Sequence, residues 1–143
     1  MDSEKNKKRY QMKNIVLFCT LFLLNNTFAQ NIVGKWKCIA TYSSFDNKKT
    51  NMQAALHQSR PCTKNTVFDF QSNGKIVRNY SACDAKYIET QNKFWKDQKW
   101  KLDGNNLKTS VTDFSLFNEY TITFSGNKMT WTNKDETIVY QKL

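Results

Sequence analysis

Apolar and polar residues alternate at a period of two along most of the chain from residue 34 onward. In the first such segment Trp36, Cys38 and Tyr42 share one face, and lysine and threonine residues occupy the other. The same pattern recurs in "TVFDF", "KIVRNYSA", "QKWKLDG", "LKTSV", "EYTITF", "KMTW" and "IVY". Alternation at this period predicts strands with one buried face, and the segments amount to about eight strands.

Short turns separate most of these segments. "SNG" (72–74), "DGNN" (103–106), "SGN" (125–127) and "NKD" (133–135) all contain residues that tolerate positive φ. Consecutive strands joined in this way form an antiparallel meander. Because its apolar face must be buried, and closure removes both edges, the sequence predicts an all-β fold, an up-and-down antiparallel barrel of about eight strands.

One segment between the first two strands predicts a short helix. In "SFDNKKTNMQAALHQSRP" (44–61), Thr50 is the expected N-cap, Gln53 its capping-box partner, and Pro61 the terminator. The apolar stripe of this helix is expected to plug one end of the barrel or, alternatively, to act as its lid. That stripe consists of Met52, Ala55 and Leu56.

A second segment also departs from the strand pattern. The sequence "DAKYIETQNKFWK" (84–96) is longer and less regular than the turns. We expect it to be an irregular connection that is held to the barrel by four apolar side chains. These are Tyr87, Ile88, Phe94 and Trp95.

The N-terminal segment is typical of a secretory signal peptide. Ile15–Leu24 is a run of ten uncharged residues, nine of them apolar. A transmembrane helix needs roughly 20 such residues, so we expect no stable membrane span. Lys13 supplies a basic flank, and Thr27 and Ala29 are the small residues that precede a signal cleavage site.

We therefore expect cleavage after Ala29, so that residues 1–29 are removed and residues 30–143 form the barrel domain. Translation starts at Met12 or, alternatively, at Met1. Either start gives the same mature protein. An exported chain of this kind is secreted or periplasmic.

The charge of the mature chain is moderately basic. The full sequence has 22 Lys and Arg against 12 Asp and Glu, and removal of residues 1–29 lowers the net charge from +10 to +7. Only Arg60 and Arg78 are arginines in the remaining part, whereas proteins that recognise nucleic acids rely on arginine. We expect no nucleic-acid partner, and the sequence carries no signal for an oligomeric state.

The mature chain has three cysteines, Cys38, Cys62 and Cys83. In an oxidising compartment two of them are expected to pair. Cys62 and Cys83 flank the hairpin at "SNG", and a two-residue tip places them opposite each other, whereas a Gly74 bulge shifts them by one residue. We predict this disulfide, with Cys38 as a buried thiol. Pairs that involve Cys38, or three reduced thiols, are the alternatives.

The ordered series of these motifs resembles the lipocalin-like domains of secreted bacterial proteins. The series comprises a signal peptide ending in Ala-Gln, Gly34-Lys35-Trp36, Cys62, "FDF", "SNGK", Cys83, "QKWKLDGNNL" and "YTITFSGNKMTW". The resemblance covers residues 33–143. It implies a lipocalin barrel in which Trp36 closes one end and packs against a basic side chain from a late strand, which the sequence does not identify. It implies the fold more strongly than any ligand.

Candidate ligand-binding residues are those that alternation turns toward the barrel interior. They are Trp36, Tyr42, Phe68, Phe70, Tyr80, Trp100, Tyr120, Phe124, Trp131 and Tyr140. Arg78 joins them if the hairpin has the Gly74 bulge, because its guanidinium then faces inward and can hold a ligand carboxylate. With a two-residue tip, Val77 points inward instead and Arg78 is solvated.

No catalytic constellation is evident in the sequence. His57 is the sole histidine, it has no second ligand at metal-binding spacing, and the carboxylates are scattered. We therefore expect no enzyme, metal or cofactor. Two functions remain. One is a secreted carrier of a small hydrophobic or amphipathic molecule inside the barrel. The other is a filled barrel that acts through its outer surface as a protein-interaction or adhesion module.

Overall fold

The structure, a computed structural model, describes residues 32–45 and 48–143, without the side chains of residues 44, 45, 48 and 49. The predicted signal peptide lies outside the described residues. The strands are β1 (Gly34–Phe45), β2 (Lys48–Asn51), β3 (Val67–Phe70), β4 (Ile76–Asn79), β5 (Lys99–Asp103), β6 (Asn106–Ser110), β7 (Asn118–Ser125), β8 (Lys128–Thr132) and β9 (Glu136–Lys142). The helices are α1 (Met52–Ser59) and α2 (Ala85–Trp95), and a 3-10 turn spans Pro61–Asn65.

Eight of the strands form a nearly closed antiparallel barrel, which confirms the predicted fold class. Their order is β4-β3-β1-β9-β8-β7-β6-β5, and β2 pairs with the far end of β1. The outer strands β4 and β5 meet at a single bridge between Lys75 and Lys99. On either side of it, Trp100 donates its N–H to the Gly74 carbonyl at 2.7 Å and Ile76 donates to the Gln98 carbonyl at 2.9 Å.

The sequence allowed two tips for the β3–β4 hairpin, and the structure has the one with the bulge. Phe68 pairs with Arg78, which is the register that the extra residue produces. Gly74 adopts a φ of 81°, and a Cβ atom there would lie 3.1 Å from the Trp100 carbonyl oxygen. Arg78 therefore shares the inner face with Phe68. The alternative with Val77 inward is wrong, since Val77 is 45% exposed.

Helix α1 begins one residue later than predicted. The Asn51 side chain, through Oδ1, accepts a hydrogen bond from the Ala54 N–H at 3.1 Å, so Asn51 and not Thr50 is the N-cap. An asparagine at this position satisfies one of the backbone donors that every helix leaves free at its start. The helix ends at Ser59, just before Pro61, as the sequence predicts.

The orientation of α1 is opposite to the predicted one. Met52 is 50% exposed and Leu56 is 38% exposed, so the apolar stripe neither plugs the barrel nor covers it as a lid. Gln53 and His57 are the half-buried residues of the helix. The Gln53 side chain faces β1, where its oxygen accepts a hydrogen bond from the Cys38 thiol at 3.5 Å.

Helix α2 replaces the irregular connection that was expected over residues 84–96, so the prediction of a single helix is wrong. Asp84 is its N-cap, because the carboxylate oxygen Oδ1 accepts a hydrogen bond from the Tyr87 N–H at 2.9 Å. Tyr87, Ile88 and Trp95 are half-buried, as anchors should be. Phe94 is 68% exposed and anchors nothing in the described part of the chain.

The predicted disulfide between Cys62 and Cys83 is confirmed, with 5.0 Å between the two Cα atoms. It ties the 3-10 turn after α1 to the start of α2. Beside it, Arg60 donates to the Asp84 carboxylate at 3.0 Å, and its guanidinium lies 4.4 Å from the centre of the Tyr87 ring. The connection from β2 to β3 and the connection from β4 to β5 are therefore fixed to each other, at the point where β3 begins and β4 ends.

The core lies inside the barrel. We call the end where β1 begins the lower end, where Gly34 pairs with Phe70 and Trp36 with Lys142, and the opposite end the upper end. The largest fully buried side chains are Trp36, Phe70, Ile32, Leu107, Ile122 and Met129. Burial of such side chains is the main favourable contribution to folding.

Candidate functional site

Trp36 closes the lower end of the barrel. Its ring is 2% exposed, and the indole N–H donates to the Ile32 carbonyl at 2.8 Å. The Lys142 ammonium lies 5.3 Å from the ring centre. Lys142 belongs to the last strand, β9, and matches the basic partner that the resemblance implied. Trp36 is therefore a packing residue at the closed end.

Four aromatic side chains form a continuous row across the barrel interior, and we call Phe68, Tyr140, Trp131 and Tyr120 the aromatic row. Successive ring centres are separated by 5.3, 4.8 and 5.5 Å. Three of the four residues are buried, and Phe68 is half-buried. The Trp131 indole N–H has no hydrogen-bond partner within residues 32–45 and 48–143, so it can still donate to a bound molecule.

Arg78 places a cation at one end of the aromatic row. Its guanidinium carbon lies 5.1 Å from the centre of the Phe68 ring and 3.5 Å from that of Trp95. Nε donates to the Gln98 side-chain oxygen at 2.8 Å. No described carboxylate pairs with this half-buried group. The rings cover its faces, Gln98 occupies Nε, and the Tyr80 side chain also contacts the guanidinium, so an anion would approach at the remaining edge.

Glu136 places an anion at the other end of the row. The Tyr120 hydroxyl donates to Glu136 Oε1 at 2.6 Å. Burial, followed by this carboxylate, raises the pKa of Tyr120 well above its usual value, so the hydroxyl remains a neutral donor. Burial likewise raises the pKa of Tyr140. Within the described ranges, the half-buried Glu136 carboxylate has no cationic partner.

A groove of about 330 Å³ opens beside Trp95 and Gln98, and Arg78 itself lines a separate pocket of about 70 Å³ together with Trp95. Trp95 and Gln98, two of the residues that contact the guanidinium, form part of the lining of the groove, together with Thr109 and residues 110–112 and 116–118. Ligand sites in proteins have volumes of about 300 to 1,000 Å³, so the groove is large enough for a small molecule. It connects the protein surface to the side chains that hold Arg78.

The loop between β6 and β7 forms one wall of this groove and is fixed by its own hydrogen bonds. The Ser110 hydroxyl accepts from the N–H groups of Thr112 and Phe114, both at 3.0 Å, and donates to the Leu116 carbonyl at 2.6 Å. Asp113 and Phe114 have positive φ values of 51° and 66°, which such a network must enforce in residues other than glycine. The wall of the groove is therefore preformed.

A polar chain of contacts connects β1 to α1. The Cys38 thiol donates to Gln53 Oε1 at 3.5 Å, and Gln53 Nε2 lies 2.7 Å from His57 Nε2. Because an amide nitrogen can only donate, His57 Nε2 accepts, and the imidazole is neutral with its proton on Nδ1. Burial, with a contribution from Lys64, lowers the pKa of His57, which agrees with this neutral form. His57 thus orients Gln53, a role that the sequence did not suggest.

The Cys38 thiol is expected to be unreactive in the native protein. It is 9% exposed, and burial raises the pKa of the thiol, so little of the reactive thiolate forms near neutral pH. A disulfide-exchange reagent at pH 8 should modify the native protein at least about tenfold more slowly than the protein unfolded in guanidinium. Cys38→Ser should show no modification in either state, provided that the protein used is the mature chain, residues 30–143, which lacks Cys19. Equal rates in the native and unfolded protein would instead place Cys38 in an open cavity.

The structure gathers nearly all of the predicted site residues inside the barrel. Those in the interior are Trp36, Phe68, Phe70, Arg78, Trp100, Tyr120, Phe124, Trp131 and Tyr140. Tyr80 is buried outside the core cluster, with its ring centre 5.7 Å from that of Tyr87 on α2. Tyr42 differs, because it is half-buried in the part of β1 that pairs with Asn51 of β2, outside the core cluster. Their contribution to ligand binding stays a prediction.

Sequence reasoning missed three residues that shape the site, namely Gln98, Glu136 and, as the partner of Arg78, Trp95. Gln98 lies just before β5 and Glu136 at the first position of β9, where alternation carries little information.

Among the described residues, no group of three metal-binding side chains is found. The same part of the chain contains no helix of the length and apolarity that a membrane crossing requires.

A comparison with family models agrees with this architecture. A model described as a lipocalin-like domain matches residues 32–131, a range that extends from the residue bonded to Trp36 to Trp131 of the aromatic row. No curated protein and no solved structure matches the chain at a significant level.

Proposed function

The chain belongs to the lipocalin-like domain family, and from this membership we propose that it binds a small amphipathic molecule inside the barrel. The observation that carries the proposal is Arg78, a half-buried guanidinium without a carboxylate partner in the described ranges. A cation withdrawn from water is costly unless an anion pairs with it. The anionic head group of a ligand would provide that pairing.

The surroundings of Arg78 support the rest of the proposal. The aromatic row provides an apolar interior next to Arg78, and the groove of about 330 Å³ reaches Trp95 and Gln98, which contact the guanidinium. A filled barrel that acts only through its outer surface would need neither an unpaired inner cation nor a preformed groove beside it. We therefore prefer a binding protein to an interaction module or an enzyme.

We further propose that the protein is exported and acts in the periplasm or outside the cell. The Cys62–Cys83 disulfide supports this location, because disulfides persist mainly in oxidising compartments. The short apolar run Ile15–Leu24 with its basic flank supports it as well. Mass spectrometry of the protein from its own host tests cleavage after Ala29, and under native conditions it also reports a retained ligand. A mature mass that still includes residues 1–29 would contradict the export signal.

The role of Arg78 is tested by binding of dodecanoic acid, measured by calorimetry and by tryptophan fluorescence. Loss of one charge-assisted hydrogen-bonded pair should weaken binding to Arg78→Met by roughly tenfold. Arg60→Met is the matched control, because Arg60 is the other arginine of the domain and pairs with Asp84 at the surface. It should bind as the wild type does. If a panel of fatty acids and hydrophobic probes neither binds nor raises the melting temperature, the carrier proposal is wrong.

A further inference from the structure

We infer that the ligand is zwitterionic, with an anionic group and a cationic group separated by an apolar body. The inference rests on the proposed function and specifies the ligand of the same site. It is based on two opposite charges, Arg78 and Glu136, which lie at the two ends of the aromatic row and do not pair with each other. Both side chains are half-buried.

The two charges are connected by an unbroken series of contacts. Arg78 lies over Phe68, the first ring of the row, at 5.1 Å, and Glu136 accepts a hydrogen bond from Tyr120, the last ring, at 2.6 Å. Between them the rings contact one another at 5.3, 4.8 and 5.5 Å between successive centres. A molecule that inserts beside the row would meet a cation at one end and an anion at the other. Three of the rings are only 3 to 5% exposed, so they must move apart to admit it.

The electrostatic environment of the row agrees with this geometry. Burial is the main cause of the raised pKa of Tyr140. The positive charge of Arg78 lowers this pKa, and the negative charge of Glu136 raises it. The pKa of Tyr120 responds to the same two charges with the same signs, again after burial as the larger cause. The central part of the row therefore lies in the field of both groups.

Arg78 and Glu136 are set apart by their contacts with the aromatic row, since Lys37 and Asp69 are also half-buried and have no ion pair among the described residues. At the surface, Asp84 pairs with Arg60 at 3.0 Å and Asp113 pairs with Lys99 at 2.7 Å. Exposed pairs of this kind contribute little to stability. Glu136 is more buried than Asp84 and Asp113, and Arg78 lies against two aromatic rings, yet each has only neutral hydrogen-bond partners among the described residues. A zwitterion would supply a counter-ion to each group.

The test compares three probes of equal chain length by calorimetry: ω-aminododecanoic acid, dodecanoic acid and dodecylamine. The wild type should bind the amino acid roughly tenfold more tightly than either singly charged probe. Glu136→Gln should remove the advantage of the amino acid over dodecanoic acid. Its amide oxygen can still accept the Tyr120 hydrogen bond, so we expect the variant to fold. Arg78→Met should remove the advantage over dodecylamine.

Glu119→Gln is the matched control, because Glu119 lies on the exposed face of β7 beside Lys108. It should leave all three affinities unchanged. Equal affinities of wild type for ω-aminododecanoic acid and dodecanoic acid, with no effect of Glu136→Gln, would overturn the inference while the carrier proposal stands. A failure of all three probes to bind would contradict both.

Discussion

Replacement of Trp36 by alanine is expected to lower the free energy of unfolding by about 4 kcal/mol, as for other large aromatic side chains removed from a core. The ring is 2% exposed and contacts Phe124 at 6.4 Å between ring centres. Its truncation opens a cavity at the lower end of the barrel and leaves the Ile32 carbonyl without its donor at 2.8 Å. Denaturation in guanidinium, followed by circular dichroism, measures the change.

Two further variants separate the parts of this effect. Trp36→Phe keeps most of the packing and loses the hydrogen bond to Ile32, so it should cost about 1 to 2 kcal/mol. Lys142→Met removes the charge over the ring and should cost less than about 1 kcal/mol. If Trp36→Ala costs no more than Trp36→Phe, then the ring does not close the barrel.

Local signals in the sequence predicted the strands and most turns, but they left the β3–β4 register open. Both hairpin tips suit "SNG", because Asn and Gly tolerate positive φ. The structure adopts the bulged tip, in which the Gly74 carbonyl accepts a hydrogen bond from the Trp100 N–H. That contact closes the barrel between strands far apart in the chain. A local pattern contains no information on it, so the inward position of Arg78 could only be given as an alternative.

The two helices were harder to predict, for different physical reasons. In α1 the apolar stripe is short and faces the solvent, and the polar residue Gln53 contacts Cys38 on β1 instead. In α2 the half-buried positions include Gln91, whose side-chain oxygen accepts a hydrogen bond from the Trp95 indole N–H at 3.2 Å. Tyr87, Ile88 and Trp95 recur two turns apart, but Gln91 occupies the turn between them, so a search for apolar residues alone finds a gap there. The Asp84 N-cap was the available signal, since Asp is a favoured capping residue.

Alternation predicted which aromatic residues line the barrel, but it could not predict the charges at the ends of the row. Arg78 depends on the hairpin register, and Gln98 becomes its partner only when β4 and β5 meet. Glu136 begins a strand, where an alternating pattern is least informative about side-chain direction. The candidate site was therefore predictable in its apolar part and not in its polar part.

Removal of the Cys62–Cys83 disulfide is expected to lower the free energy of unfolding by about 3 kcal/mol, because the unfolded chain regains the entropy of a loop of this size. The bridged residues are separated by 21 positions. The double variant Cys62→Ser, Cys83→Ser should therefore unfold at a lower guanidinium concentration than wild type. In addition, the bridge fixes the start of α2, whose last residue, Trp95, covers Arg78. We expect weaker binding of dodecanoic acid as a second result.

Reductant provides the decisive control for this prediction. Wild type and Cys38→Ser should both lose about 3 kcal/mol when dithiothreitol is added, because both contain the bridge. The double variant should lose nothing, because its only cysteine among the described residues is the free Cys38. If wild type is equally stable with and without the reductant, although mass spectrometry shows that the bridge has been reduced, then the packing of Tyr87 and Trp95 holds α2 in place without it.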